Sequence, residues 1–212
     1  MDTHYIPIPG GSDAQVTGNY YGVYDDRKLN VTNNMYKGVV MMPEIPDHLD
    51  HGLSVLFIGF NPSLLSGETG HHYANPRNNF YRILHRAGLT PRLYDASEDQ
   101  DLLRLGYGFT NIVARPTRGI DDIDRSEYAE GRDILHAKLK DYRPKIACFV
   151  GKGVYTEYSK KTKVNWGFQP SPVIPEIHEF VAPSSSGLVR MPMDEIVGIY
   201  RQLAEVIAQN EA

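Results

Sequence analysis

The chain has 212 residues, with 22 Lys and Arg against 26 Asp and Glu, giving a formal net charge of −4 with its eight histidines counted as neutral. That balance excludes a uniformly basic nucleic-acid coat. Hydrophobic residues at 41% and charged residues at 23% are those of an ordinary globular protein, long enough to bury roughly 70% of the surface its unfolded chain exposes.

A single cysteine, Cys148, excludes an internal disulfide, an iron–sulfur cluster and a multi-thiolate zinc site, and suits a reducing compartment. The first residues include Pro7, Pro9, Gly10 and Gly11 in place of an apolar core, and no run approaches the ~18 apolar residues of a membrane helix. We therefore expect an intracellular protein, in the cytoplasm of a prokaryote or the nucleus of a eukaryote, without membrane association. No cofactor and no metal are implied.

Residues 1–42 are rich in Gly, Asn and Tyr and lack a helical apolar period, which reads as an irregular or hairpin-bearing extension ahead of one domain over 43–212. After the turn-rich Pro43 to Gly52, the run Leu53 to Phe60 is short, continuous and apolar, the pattern of a strand buried on both faces. Asn61-Pro62 stops it. A helix is expected over Asn79 to Ala87. Further apolar runs at Tyr107 to Val113, Ile146 to Val150 and Phe180 to Ala182 alternate with segments of helical spacing, so the chain reads as an α/β domain with a parallel sheet.

Between Ser126 and Tyr142, residues Tyr128, Leu135, Leu139 and Tyr142 share one helical face. Asp124 followed by Glu127 predicts a capping box there. Ile196, Ile199, Tyr200, Leu203 and Ile207 line one stripe of a C-terminal helix, with Asp194 and Glu195 at its start.

Open parallel sheets place ligand chemistry just beyond the C-terminal ends of their strands. Four segments there carry motifs: Gly59-Phe60-Asn61-Pro62-Ser63, then Gly70-His71-His72-Tyr73 with Asn79-Phe80, then Gly108-Phe109-Thr110-Asn111 with Thr117, and finally Pro183 to Leu188. Each alone is weak, since Asn-Pro is a common turn and Pro-Ser-Ser-Ser can shape a loop. Together and in this order they resemble the mismatch-specific uracil/thymine DNA glycosylases of the uracil-DNA glycosylase superfamily, from about Pro43 to Gln202. The common uracil-specific branch has Asp where this chain has Asn61, and the iron–sulfur branches need four cysteines.

The resemblance implies a three-layer α/β/α sandwich with a short central, mostly parallel sheet. It also implies an enzyme that removes a base from double-stranded DNA containing a mismatched or damaged pyrimidine. Such an enzyme flips the nucleotide out of the stack, at least cost for weakly paired bases, then places a water and stabilises the departing base anion. By resemblance Asn61 holds the attacking water, and as an amide it orients more than it deprotonates. Tyr73 corresponds to an aromatic that stacks on the base, Asn111 offers donor and acceptor to the pyrimidine edge, and Phe60, Ser63, His72 and Thr117 complete the base pocket. In the loop that meets DNA, Ser184, Ser185, Ser186 and Gly187 face phosphates, Leu188 matches the wedge that fills the gap left by the flipped base, and Arg190 contacts phosphate or the opposite strand. Lys152 is a further phosphate-binding candidate.

No lysine lies in the matched motifs to form a Schiff base, so the expected enzyme is monofunctional: it leaves an abasic site and an unbroken strand. Ser63 stands where the family has glycine, adding a hydroxyl and bulk beside Asn61. Uracil opposite guanine is therefore favoured over thymine or ethenocytosine, and a monomer is expected.

Ordinary structural readings stand beside these: Leu188 as a core residue, Arg190 as a solvated charge, Tyr73 as a packing aromatic, Asn111 as a strand-end turn residue. Two other functions also stay open, a damage-binding module without turnover and a nucleotide-binding α/β protein suggested by Gly151-Lys152-Gly153, which lacks a full phosphate-loop pattern. The charge is unevenly spread. Thr69 to Tyr94 contains Arg77, Arg82, Arg86 and Arg92 and no Asp or Glu, and Lys152, Lys160, Lys161 and Lys163 form a second basic group. Acidic residues gather instead at Asp95 to Asp101 and Asp121 to Asp133. A basic face beside the pocket would bind DNA less tightly as salt rises.

Overall fold

The computed structural model describes residues 20–24 and 39–211. Two strands, β1 (Tyr20–Tyr24) and β2 (Val39–Pro43), pair antiparallel as a separate two-stranded sheet. The rest of the expected extension lies outside the described residues.

The central sheet follows from the apolar runs. Strands β3 (Val55–Gly59), β4 (Tyr107–Asn111), β5 (Ile146–Val150) and β7 (His178–Ala182) run parallel in the order β4-β3-β5-β7. A two-residue strand, β6 (Gly167–Phe168), adds an antiparallel edge beside β7. It is too short to leave a periodic signal in sequence. The order makes β3 and β5 the switch point, where the chain turns to opposite sides of the sheet and a crevice opens at the strand ends.

Every residue of β3 and β5 is buried because helices cover both faces. On one face Val55, Phe57, Cys148, Val150 and Phe180 pack with Phe80 and Leu84 of α2 (Phe80–Arg86) and with Ile196, Tyr200 and Leu203 of α5 (Met193–Glu211). On the other, Leu56, Ile58, Ala147, Phe149 and Val181 pack with Leu135 and Leu139 of α3 (Arg125–Tyr142) and with Val154, Tyr155 and Tyr158 of α4 (Lys152–Ser159). This is the expected three-layer α/β/α arrangement. Each large side chain wholly withdrawn from water contributes about 1.5–3 kcal/mol, so these two clusters dominate stability. The Asp124–Glu127 capping box at the start of α3 forms as the sequence predicts.

Four helical segments were not evident from the sequence, the shortest being the 3-10 turn Ile120–Asp122. Leu64–Thr69 forms α1, and α4 starts within the Gly151-Lys152-Gly153 motif. Ala96–Leu105 is a 3-10 helix with its own capping box, Asp95 and Glu98. Ser63 is the N-cap of α1, and Gly151 that of α4.

At Gly131 α3 comes so close to the end of β4 that an added Cβ would lie 1.8 Å from the carbonyl oxygen of Ile112. Gly131→Ala therefore has to push the helix away from the strand end that carries Asn111. Overpacking of this kind costs about 1–3 kcal/mol or more, and backbone is the obstacle here. We expect Gly131→Ala to lower unfolding free energy by at least ~2 kcal/mol in urea titration; an unchanged midpoint would contradict the packing described.

A candidate glycosylase site at the strand switch point

A cavity of about 200 Å³ opens at the C-terminal ends of β3, β4, β5 and β7. Gly59 to Ser63 line it, as do Asn111 from the end of β4, Val150 from the end of β5, and Ser184 to Ser186 beyond β7. His72, Tyr73 and Asn78 come from the connection between α1 and α2, and Ile45 and Ile120 add apolar walls. None of the lining residues is an Asp, Glu, Lys or Arg. Chemistry in such a pocket falls to neutral amides, hydroxyls and backbone groups.

Asn61 is the most constrained of them. Its Nδ2 donates to the carbonyl of Pro62 at 2.8 Å, to Thr117 Oγ1 at 2.7 Å and to the carbonyl of Arg115 at 3.4 Å. Thr117 Oγ1 in turn donates to the carbonyl of Gly119 at 2.7 Å, so toward Asn61 it acts as acceptor. Two carbonyls and a hydroxyl committed as acceptor fix the NH₂ end of the amide, which leaves Oδ1 free to accept from a water. Thr117 is thus buried behind Asn61 instead of lining the pocket, a correction to its reading as a pocket residue: its hydroxyl orients the amide. The loop it sits on is held by Arg115, whose guanidinium bonds both Glu127 oxygens at 2.8 and 2.9 Å and the carbonyl of Asp122 at 2.8 Å. The Glu127 carboxyl is held below its usual range by that guanidinium, despite partial burial.

Gly59 has a clear reason to be glycine. A Cβ there would fall 2.6 Å from Asn111 Oδ1, in the register-paired position on β4, so the missing side chain makes room for the Asn111 amide. Phe60 is partly buried, packs edge-on against Tyr128 and leans over Gly153, where a Cβ would meet its ring at 2.7 Å.

Ser63 is the N-cap of α1. Its hydroxyl accepts from Ser66 N–H at 3.1 Å and donates to Ser66 Oγ at 3.0 Å. The hydroxyl expected to crowd the water or base is therefore spent on the helix, although the residue still lines the cavity.

Tyr73 stacks one ring face on Phe80, with centroids 3.8 Å apart and planes at 10°. Packing and lining are combined in one residue, since it also borders the cavity. Its hydroxyl is buried without a hydrogen-bond partner, and burial holds the phenol well above its ordinary range. His72 is 2% exposed, and its Nε2 lies 3.1 Å from the carbonyl of Pro46. A carbonyl only accepts, so that nitrogen carries the proton. Burial, reinforced by neighbouring His48, pushes the imidazole pKa down from 6.5 to about 4. The ring is neutral at pH 7.

Because the folded pKa lies below the unfolded one, the neutral His72 contributes stability that is complete above pH 6.5 and is lost as pH falls toward 4. A shift of that size corresponds to roughly 3 kcal/mol. The urea midpoint of the wild type should therefore fall more steeply between pH 6.5 and 4 than that of His72→Gln; parallel curves would contradict it.

In the loop after β7 the three serines divide. Ser184 and Ser186 are partly exposed, but Ser185 is 2% exposed, with its carbonyl accepting from Asn79 N–H at 2.8 Å. Its expected phosphate contact is corrected to a pocket-lining, loop-anchoring role. Gly187 presses on the Arg77 backbone, where a Cβ would lie 2.5 Å from the carbonyl oxygen. Leu188 is 87% exposed, which removes the core-residue reading. Arg190 is exposed, and Lys152 places its ammonium 4.3 Å from the Trp166 ring centre.

The basic face is thinner than the sequence suggests. Arg86 pairs with Asp194 and Arg92 with Glu98, Lys160 pairs with Glu157, and Lys161 bonds the carbonyl of Ser171. Acidic residues distant in sequence or three to six positions away partner the first three of these cations, and a backbone carbonyl the fourth.

A model of the uracil DNA glycosylase superfamily matches residues 46–204, spanning every strand of the central sheet and every cavity-lining residue except Ile45. The chain belongs to the uracil DNA glycosylase superfamily. Among solved structures, the solution NMR structure of a candidate uracil DNA glycosylase from Methanosarcina acetivorans is similar over 76% of this chain and 97% of its own, with 21% sequence identity and a TM-score of 0.48. Membership makes DNA glycosylase chemistry the general activity and DNA the partner. Of the cavity residues of this superfamily member, Ile45, Ser66, Asn78, Ile120 and Val150 were missed in sequence. Asn78 had a detectable signal, an Asn immediately before an expected helix, where its Oδ1 accepts from Phe80 N–H at 3.0 Å. The others reach the cavity only through folding.

Proposed function

We propose that the protein is a mismatch-specific, monofunctional uracil DNA glycosylase. It takes uracil opposite guanine out of the duplex, hydrolyses the N-glycosidic bond and leaves an abasic site for base excision repair. The observation that carries this reading is the Asn61 amide, tethered through its nitrogen to Pro62, Thr117 and Arg115 with its oxygen unpaired.

Cleavage builds positive charge on the sugar and negative charge on the base. Water held by Asn61 Oδ1 is delivered to C1′ as the sugar cation develops, so orientation supplies most of the effect and no strong base is needed. Asn111 meets the pyrimidine edge, and Tyr73 offers the ring face not covered by Phe80. Leu188 enters the stack where the nucleotide has left, at a cost of a few kcal/mol of unstacking that a weak G·U pair reduces. Uracil is the preferred base, with thymine and ethenocytosine as secondary substrates. The absence of a lysine among the residues lining the cavity supports hydrolysis over Schiff-base chemistry. Residues 43–212 act as one catalytic domain preceded by an extension, working as a monomer inside the cell.

A damage-binding module without turnover would use the same exposed leucine but would have no need of a three-point tether on Asn61. Chromatography of the small-molecule fraction separates the two readings. Free uracil should appear from a G·U duplex, faster than thymine from a G·T duplex; tight binding with no released base would favour the module.

A further inference from the structure

Tyr73 holds φ at 56°, a left-handed backbone conformation that costs a residue with a Cβ about 1 kcal/mol. Something must hold the turn that carries it. The contacts converge on the residue before it. His72 N–H donates to Asp99 Oδ2 at 2.8 Å, and the His72 carbonyl accepts from Tyr81 OH at 2.7 Å. His71 Nδ1 donates to the other Asp99 oxygen at 3.1 Å, and Ala74 N–H reaches Ser66 Oγ at 3.3 Å.

Asp99 is the unusual member. It is wholly buried, in the acidic stretch Asp95 to Asp101. No Lys or Arg among the described residues pairs with it; only His71, and His48 at 3.9 Å, approach as ionisable partners. A buried carboxylate is costly unless its hydrogen bonds are satisfied, and here those bonds go to the turn ahead of Tyr73. The carboxylate does not border the cavity, whereas His72 and Tyr73 do.

We propose that Asp99 is a positioning residue for base recognition: by fixing the His71–His72 backbone it holds Tyr73 in the conformation that forms the stacking wall of the pocket. The proposal rests on the reading of that pocket as a base pocket. Asp99 touches no substrate, and its effect passes through Tyr73.

The test is a double-mutant cycle read by single-turnover excision from a G·U duplex, with affinity for a duplex bearing a tetrahydrofuran abasic analogue opposite guanine as the second readout. The analogue has no base for Tyr73 to contact. We expect Asp99→Ala to slow excision about 10-fold or more while analogue affinity stays within about twofold. Asp99→Asn, whose oxygen still accepts from His72 N–H and whose NH₂ faces His71 in its acceptor tautomer, should recover most of the rate. Asp99→Ala combined with Tyr73→Ala should be no slower than Tyr73→Ala alone, because both act through one contact. Asp99→Leu refills the volume without an acceptor and carries the same comparison if the alanine variant does not fold. Wild-type rates in both the Ala and Leu variants, losses that multiply with Tyr73→Ala, a Tyr73→Ala variant as fast as wild type, or an equal loss of analogue affinity would each overturn the proposal. A wild-type protein that releases no uracil would instead overturn the base-excision reading, before any variant is compared.

Discussion

Asn61→Ala should reduce single-turnover excision of uracil from a G·U duplex by about 100-fold or more, with little change in duplex affinity. The magnitude is that of losing the orientation of one reacting group, and the side chain's only free polar atom is the Oδ1 that would hold water. Asn61→Asp makes a sharper statement. A carboxylate is the stronger base, and a simple view would have it faster. Yet the three groups around Nδ2, the carbonyls of Pro62 and Arg115 and the Thr117 hydroxyl, are placed to receive a proton. A carboxylate oxygen there faces at least two carbonyl oxygens that cannot donate, which disfavours its charged form. We expect Asn61→Asp to gain nothing at pH 7, and Thr117→Val to be slowed because the amide loses its shortest tether. A carboxylate variant markedly faster than wild type would show that the cage does not constrain the catalytic group as described.

Leu188→Ala should slow excision from duplex G·U about 10- to 100-fold while leaving excision from single-stranded uracil DNA within about twofold of wild type. Fully burying a leucine side chain is worth about 1.5–3 kcal/mol, and 1.4 kcal/mol is a factor of ten. That energy is available only when Leu188, 87% exposed in the free protein, enters the base stack. An exposed side chain contributes little to folding, so thermal stability should stay within about 0.5 kcal/mol of wild type. A variant that loses duplex and single-strand activity equally would place Leu188 in loop structure and not in the DNA stack.

The parallel sheet was legible in the sequence because strands buried on both faces leave continuous apolar runs, and Ile146–Val150 is found with the bounds expected. The long helix at Arg125–Tyr142 was legible through both its period and its cap. Asn61, the Asn111 strand end and the Pro183 to Leu188 loop were legible because they sit at or just past strand ends, where local sequence and topology point to the same place. What escaped depends on contacts between distant segments. Nothing local marks Asp99 as buried among Asp95 to Asp101, since its partners lie at His48, His71 and His72. Nothing local shows that Thr117 faces the back of Asn61, 56 positions away in sequence; the Ser63 cap, bonded to Ser66 three residues on, is local, but the short helix it starts leaves no apolar period to reveal it. Ser185 differs from its neighbours only through the strand-end packing that buries it.

Hydrolysis at the Asn61 pocket would remove uracil and leave the strand unbroken. Its most direct measurement uses an end-labelled duplex with a single G·U pair, incubated with purified protein and divided into samples with and without hot alkali. One cut is expected at the uracil position in the alkali-treated sample, with an intact strand without alkali and strong loss of the cut with Asn61→Ala. No cut after alkali, a cut without alkali, or a cut undiminished in Asn61→Ala would contradict it.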